Sequence, residues 1–154
     1  MGHCGSAAAA FSRTIEIRFL TIVNLPSVIR TVCSMIQQLH PCGFETWCDA
    51  SRTDADGMLP VVLDVREPWE LQTASVTPAG FTLVHLPMRE VPAGLAALQE
   101  TPGANHPIAC LCHHGTRSLQ VAGFLAQQGF TNVVNLQGGI DAWSTQLDAR
   151  VPRY

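Results

Sequence analysis

Four short, β-branched apolar runs recur along this chain, separated by stretches with helical spacing, and that alternation leaves few architectures open. The runs are Pro60-Val61-Val62-Leu63-Asp64-Val65, Thr82-Leu83-Val84-His85-Leu86, Pro107-Ile108-Ala109-Cys110-Leu111-Cys112 and Asn132-Val133-Val134-Asn135-Leu136. A strand with one wet face alternates apolar and polar residues, so continuous runs of this kind predict strands buried on both faces. Helical patterns fall at 43–49, 67–72, 94–100, 118–128 and 139–147, with Gly129 as a C-terminal stop for the fourth. Strands alternating with helices through short loops give an α/β fold, a parallel sheet covered by helices on both faces. With 154 residues, 47% of them hydrophobic, the chain can build one such core and is too short for two full domains.

Charge removes several function classes. A net charge of -3, with only 14% charged residues, carries no basic excess for a nucleic-acid partner. High hydrophobicity at low net charge is the opposite of a disordered chain. The amino-terminal third differs from the rest: small residues from Gly2 to Ala10 precede an apolar-leaning stretch from Phe19 to Leu25. Glu16, Arg18, Asn24, Pro26 and Arg30 interrupt every window long enough to cross a membrane, and no basic cluster precedes the apolar run as in a signal peptide. The expectation is a poorly ordered extension over 1–34, a domain over 35–150 opening at Met35, a short tail over 151–154, and no membrane partner.

The six cysteines do not make the dense framework of a small secreted scaffold, which predicts reduced thiols and a cytoplasmic protein. Cys42, Cys48, Cys110, Cys112, His113 and His114 are all candidate zinc ligands, but no Cys-x-x-Cys pair occurs, so no metal is expected. Cys42, Cys48 and the apolar anchor Trp47 receive no function. Trp143, Phe124 and Leu125 read as helix residues packed on the sheet.

In parallel sheets, ligands bind beyond the carboxyl ends of the strands, where helix N-termini and free backbone N–H groups converge. Two strands bring reactive residues there: Asp64-Val65-Arg66-Glu67 and Cys112-His113-His114-Gly115-Thr116-Arg117-Ser118. Cys112 closes a strand and a helix starts about five residues later, so the loop can curl its N–H groups around the sulfur as an anion cradle. Gly115 permits backbone conformations closed to other residues, while Thr116 or Ser118 can cap the helix and supply a hydroxyl. A thiol at a helix N-terminus beside Arg117, with no acidic residue in the loop, is expected to favour its thiolate.

Cys112-x-x-Gly115-x-Arg117-Ser118 resembles the active-site loop of single-domain rhodanese-like sulfurtransferases. Further stretches match that family in order. Val62-Leu63-Asp64-Val65-Arg66-Glu67-Pro68-x-Glu70 resembles its early strand motif, and His85-Leu86-Pro87-Met88 its central stretch. Asn135-Leu136-x-Gly138-Gly139-Ile140-x-Ala142-Trp143 resembles its closing motif. The resemblance spans about residues 35–150 and departs between Gln72 and Leu83, where Ala74-Ser75-Val76-Thr77-Pro78-Ala79-Gly80-Phe81 replaces the family's usual turn, so a changed loop is expected there. It implies a five-stranded parallel sheet between helices and transfer of a sulfane sulfur through a persulfide on Cys112, with no cofactor. The partners implied are a small donor such as thiosulfate or a persulfide and an acceptor such as cyanide or a thiol, with a protein donor or acceptor also open.

Around the nucleophile, His113 and His114 are expected as exposed loop residues that shape the entrance and donate to an anionic donor. The loop from His113 to Ser118, with Gly115, Thr116 and Arg117 between them, is expected to bind substrate; for Arg117, bracing the loop against Glu70 or Asp64 is read ahead of direct substrate contact. Asp64 and Arg66 read as a structural pair, since polar groups at a strand end need partners. Cys110 is expected on the same side of its strand as Cys112, as a small buried hydrophobe more than a resolving thiol. Two other readings share the fold. One is a phosphatase or arsenate reductase, which by family analogy uses a Cys-x5-Arg loop where this chain has Cys-x4-Arg. The other is a docking module for a sulfur carrier with no turnover of its own.

Overall fold

The computed structural model describes residues 36–52 and 57–154. The extension expected over 1–34, with Cys4 and Cys33, lies outside the described residues. Five strands form one parallel sheet in the order β1-β5-β4-β2-β3, with β1 at Gln37–Leu39, β2 at Val61–Asp64, β3 at Thr82–His85, β4 at Ile108–Leu111 and β5 at Val133–Leu136. Strands β2, β4 and β5 are buried along their whole length, as continuous apolar runs require. Strand β3 corrects the expectation of burial on both faces: it is the sheet's edge, half-buried at Leu83 and Val84 and exposed at Thr82 and His85.

Five helices follow: α1 at Phe44–Ser51, α2 at Pro68–Thr73, α3 at Val91–Leu98, α4 at Thr116–Gln127 and α5 at Gly139–Gln146. Helix α3 starts three residues ahead of the expected 94, because Pro92 sits in its first turn, where the missing N–H has no helical partner to lose. Alternation along the strands sends Val62, Ala109, Leu111 and Val134 to one face, where they pack with Phe44 and Cys48 of α1 and Ile140 and Trp143 of α5. Val61, Leu63, Ile108 and Cys110 go to the other face, against Val91 and Leu98 of α3 and Val121 and Leu125 of α4. Helices therefore cover both faces, as expected. Trp143 lies 4.6 Å from the Phe44 ring, edge-on. Cys48 fills this core, and burial, then Asp49 and Glu45, pushes its thiol up to about 11.

From β2 the chain moves outward to β3, and from β4 it moves the opposite way to β5. The loops leaving the neighbouring carboxyl ends of β2 and β4 therefore diverge and leave a crevice between them, the usual ligand position in such sheets.

Candidate active site

One wall of the crevice grows from β2. Asp64 ends the strand with no exposed surface and needs a partner there. Arg66 supplies it: its Nη2 lies 2.6 Å and its Nε 2.9 Å from the Asp64 carboxylate, in a bidentate pair that is itself fully enclosed. The remaining Arg66 nitrogen, Nη1, donates to the carbonyl of Ala74 and to the hydroxyl of Tyr154, both at 3.0 Å. The segment expected as a changed loop thus closes the guanidinium's shell through Ala74, and its Val76 and Phe81 are buried in the core with Phe44 and Trp143.

Glu67 and Glu70 begin α2 as a capping box, each side chain accepting the other's backbone N–H. Glu70, although buried, is fully partnered. Its two oxygens accept Nη1 and Nη2 of Arg117, both at 2.7 Å, and Oε1 accepts the Tyr154 hydroxyl at 3.1 Å. The Arg117 fork, above all, holds the Glu70 carboxyl well below the usual carboxylate range, to about 2. Of the two carboxylates considered for Arg117, Glu70 is the partner, and the arginine side chain remains 35% exposed at the mouth.

The opposite wall is the loop after β4. Helix α4 starts at Thr116 instead of 118, so Thr116, Arg117 and Ser118 form its first turn and only three residues separate Cys112 from the helix. The expected hydroxyl cap is absent. Gly115 occupies the cap position with φ +88°, and a side chain there would meet the backbone of Gly138 and Leu136. Gly139 is under the same constraint, since a Cβ would strike the carbonyls of Cys112 and His113. That contact is close because the N-terminus of α5 clamps the loop: Ile140 N–H donates to the Cys112 carbonyl at 2.8 Å and Asp141 N–H to that of His113 at 3.2 Å.

This clamp sets the sulfur. Cys112 is 1% exposed, and the Gly115 N–H donates to its Sγ at 3.1 Å. Ser118 Oγ lies 3.3 Å from the same sulfur and 2.7 Å from Asn135 Oδ1. Cys110, as strand alternation requires, joins Cys112 in the core on the α3–α4 face. It has no exposed surface, and burial drives its thiol far above the ordinary range, so it packs as a small apolar residue.

The two histidines divide. His114 is exposed, as expected, but His113 is half-buried, which corrects its assignment as an exposed loop residue. Its ring is sandwiched between His114 at 3.8 Å and Tyr154 at 4.1 Å, and its Nε2 is buried without a partner. Burial and the neighbouring His114 lower the His113 pKa, favouring the neutral ring. Thr116 is exposed and makes no side-chain cap. Clefts of about 500 and 390 Å³ open at the amino ends of the strands, and Cys112 lines neither. Among the described residues, no three His, Cys, Asp or Glu side chains come together as a metal site, and no helix is long and apolar enough to cross a membrane.

Sequence reasoning gave no role to Tyr154, to Asn135, or to Gln38, whose Oε1 accepts Asn135 Nδ2–H at 2.7 Å. Tyr154 is the chain's sole tyrosine and lies in the segment read as a bare tail. Asn135 carried a signal: it is a polar side chain inside an otherwise apolar strand.

The rhodanese-like domain family model matches residues 46–146. The chain is 37% identical over 93 residues to the rhodanese-like/PpiC domain-containing protein 12, chloroplastic, of Arabidopsis thaliana, across 60% of this chain and 30% of that protein. It therefore spans less than a third of that relative's length. The chain is also 30% identical over 95 residues to the thiosulfate sulfurtransferase GlpE of Pseudoalteromonas translucida, across 60% of this chain and 81% of the relative. Among solved structures, a rhodanese-like domain protein from Staphylococcus aureus superposes with a TM-score of 0.57 at 20% identity, covering 77% of this chain and 99% of that one.

Proposed function

The chain belongs to the rhodanese-like domain family, and from that premise we propose that it is a sulfurtransferase whose Cys112 carries a sulfane sulfur from a donor to a thiophilic acceptor. The observation that carries the reading is the Cys112 sulfur itself, held at the base of a four-residue loop before Arg117 with the Gly115 N–H directed at it from 3.1 Å. A preorganised donor at a sulfur stabilises negative charge there, and both the thiolate and the persulfide are anions.

With thiosulfate as donor, the Cys112 thiolate attacks the outer sulfur. The sulfur–sulfur bond breaks and sulfite leaves with the electron pair. A second nucleophile then takes the terminal sulfur of the persulfide and returns Cys112 as thiolate. The low exposure of Cys112 keeps the persulfide away from bulk water. Arg117 is the loop's one permanent positive charge, and Glu70 largely neutralises it, so thiosulfate affinity is modest and a low-molecular-weight or protein persulfide suits the site as physiological donor. Exposed His114 stands at the entrance. A reducing compartment such as the cytoplasm suits this chemistry.

Two half-reactions on one residue predict ping-pong kinetics. Thiocyanate formation from thiosulfate and cyanide should give parallel double-reciprocal lines and vanish in Cys112→Ser. Hydrolysis of an aryl phosphate or reduction of arsenate in place of thiocyanate formation would overturn the proposal.

A further inference from the structure

Ser118 has one hydroxyl proton and two neighbours that could take it, the Cys112 sulfur at 3.3 Å and Asn135 Oδ1 at 2.7 Å. Which one receives it follows from a chain of contacts that ends on the backbone. Gln38 Nε2 lies 3.1 Å from the Ile36 carbonyl, which can only accept, so the Gln38 amide nitrogen faces that way and its Oε1 faces Asn135. The register of β1 on β5 sets Gln38 opposite Asn135, and Asn135 Nδ2 donates to Gln38 Oε1 at 2.7 Å. Asn135 Oδ1 is thereby left pointing at Ser118, and as an amide oxygen it can only accept. Ser118 must give it the proton.

We infer that Asn135 is a positioning residue for Cys112: by drawing the Ser118 proton away from the sulfur, it turns a hydroxyl lone pair toward Sγ and withholds from the thiolate a second donor beside the Gly115 N–H. The thiolate gains the hydroxyl as a donor only if Ser118 rotates onto the sulfur, and that leaves the buried Asn135 oxygen unpartnered. The relay runs from the exposed Gln38 through Asn135 and Ser118 to the sulfur, with both intermediate residues buried. Cys110 on β4 and Arg117 on α4, paired with Glu70 of α2, act on Cys112 directly, and the other ionisable groups of this rim are His113 and His114 in the loop, Asp64 at the end of β2 with Arg66, Tyr154, and Asp141 on α5 with Arg153. None of them hydrogen-bonds to Ser118 or Asn135.

The inference rests on Cys112 as the reactive thiol, and its test reads that thiol without any sulfur transfer. The reduced full chain is alkylated with iodoacetamide between about pH 5 and 10, and the Cys112 peptide is followed by mass spectrometry. Asn135→Ala frees the Ser118 proton for the sulfur, so the pH of half-maximal alkylation should fall by about one unit, a rise in thiolate fraction of about tenfold well below that midpoint. Gln38→Ala, at an exposed position, releases the Asn135 amide to turn its nitrogen toward Ser118 and should shift the profile in the same direction by less. Both shifts should vanish in a Ser118→Ala background. An unmoved profile in Asn135→Ala, or a shift that survives without the Ser118 hydroxyl, overturns the inference. Should Asn135→Ala not fold, Gln38→Ala decides by the same two criteria. A persulfide that fails to form leaves this profile readable, so the two proposals fail separately.

Discussion

Arg66 and Arg117 follow neighbouring strands, and a carboxylate grips each in a bidentate fork, yet their surroundings are opposite. Arg66 has no exposed surface, and all its nitrogens are taken by Asp64, Ala74 and Tyr154. Arg117 spends both terminal nitrogens on Glu70 while a third of its side chain faces solvent beside the Cys112 loop. The enclosed pair joins the end of β2 to the segment after α2 and to the carboxy-terminal tyrosine, whereas the open pair ties α2 to the first turn of α4. Tyr154 connects the two, accepting from Arg66 and donating to Glu70. The lesson is that one rim holds an architectural cation, walled off from ligands, and a loop-bracing cation that also sets the charge of the mouth.

That division can be broken most directly at the enclosed pair. Arg66→Ala strands the Asp64 charge in the interior and should destabilise the fold by about 3–5 kcal/mol, measured by chemical denaturation. A loss below about 1 kcal/mol would mean that Arg66 is not the architectural member. For the open pair, Arg117→Ala and Glu70→Ala should each destabilise by about 1–3 kcal/mol and raise the substrate requirement. A double-mutant cycle between them should show coupling of about 1–2 kcal/mol, and additive losses would dissolve the brace.

Acid sharpens the same contrast. Arg117 holds the folded Glu70 carboxyl at about 2, below its unfolded value, so the pair's contribution is complete above the ordinary carboxylate range. It should be lost as the pH falls from about 5 toward 2, seen as declining melting temperature, and Glu70→Gln should flatten that decline. The smallest effect belongs to the connector: Tyr154→Phe keeps the ring stacked on His113 but removes the hydroxyl, with an expected loss of about 0.5–1.5 kcal/mol.

Strands β2, β4 and β5 were legible because burial on both faces forces an uninterrupted apolar run, and the Cys112 loop was legible because cysteine, glycine and arginine at a strand end have few structural uses together. Strand β1 was not, since a three-residue edge strand with Gln37 and Gln38 exposed has no apolar pattern to read. Helix α4 starts two residues ahead of the expected 118 because Gly115, in its left-handed conformation, occupies the cap position in place of a hydroxyl residue. Arg117's choice of Glu70 over Asp64 depended on Arg66 occupying Asp64 first. Tyr154, far along the chain, reaches the site only through tertiary packing, which periodicity does not encode.

Whether Cys112 carries a sulfane sulfur is read from the intact mass of the protein after incubation with excess thiosulfate. The parent protein should gain the mass of one sulfur atom, cyanide should remove it, and Cys112→Ser should gain none. An unchanged parent mass, or the same gain in Cys112→Ser, would contradict a persulfide on Cys112.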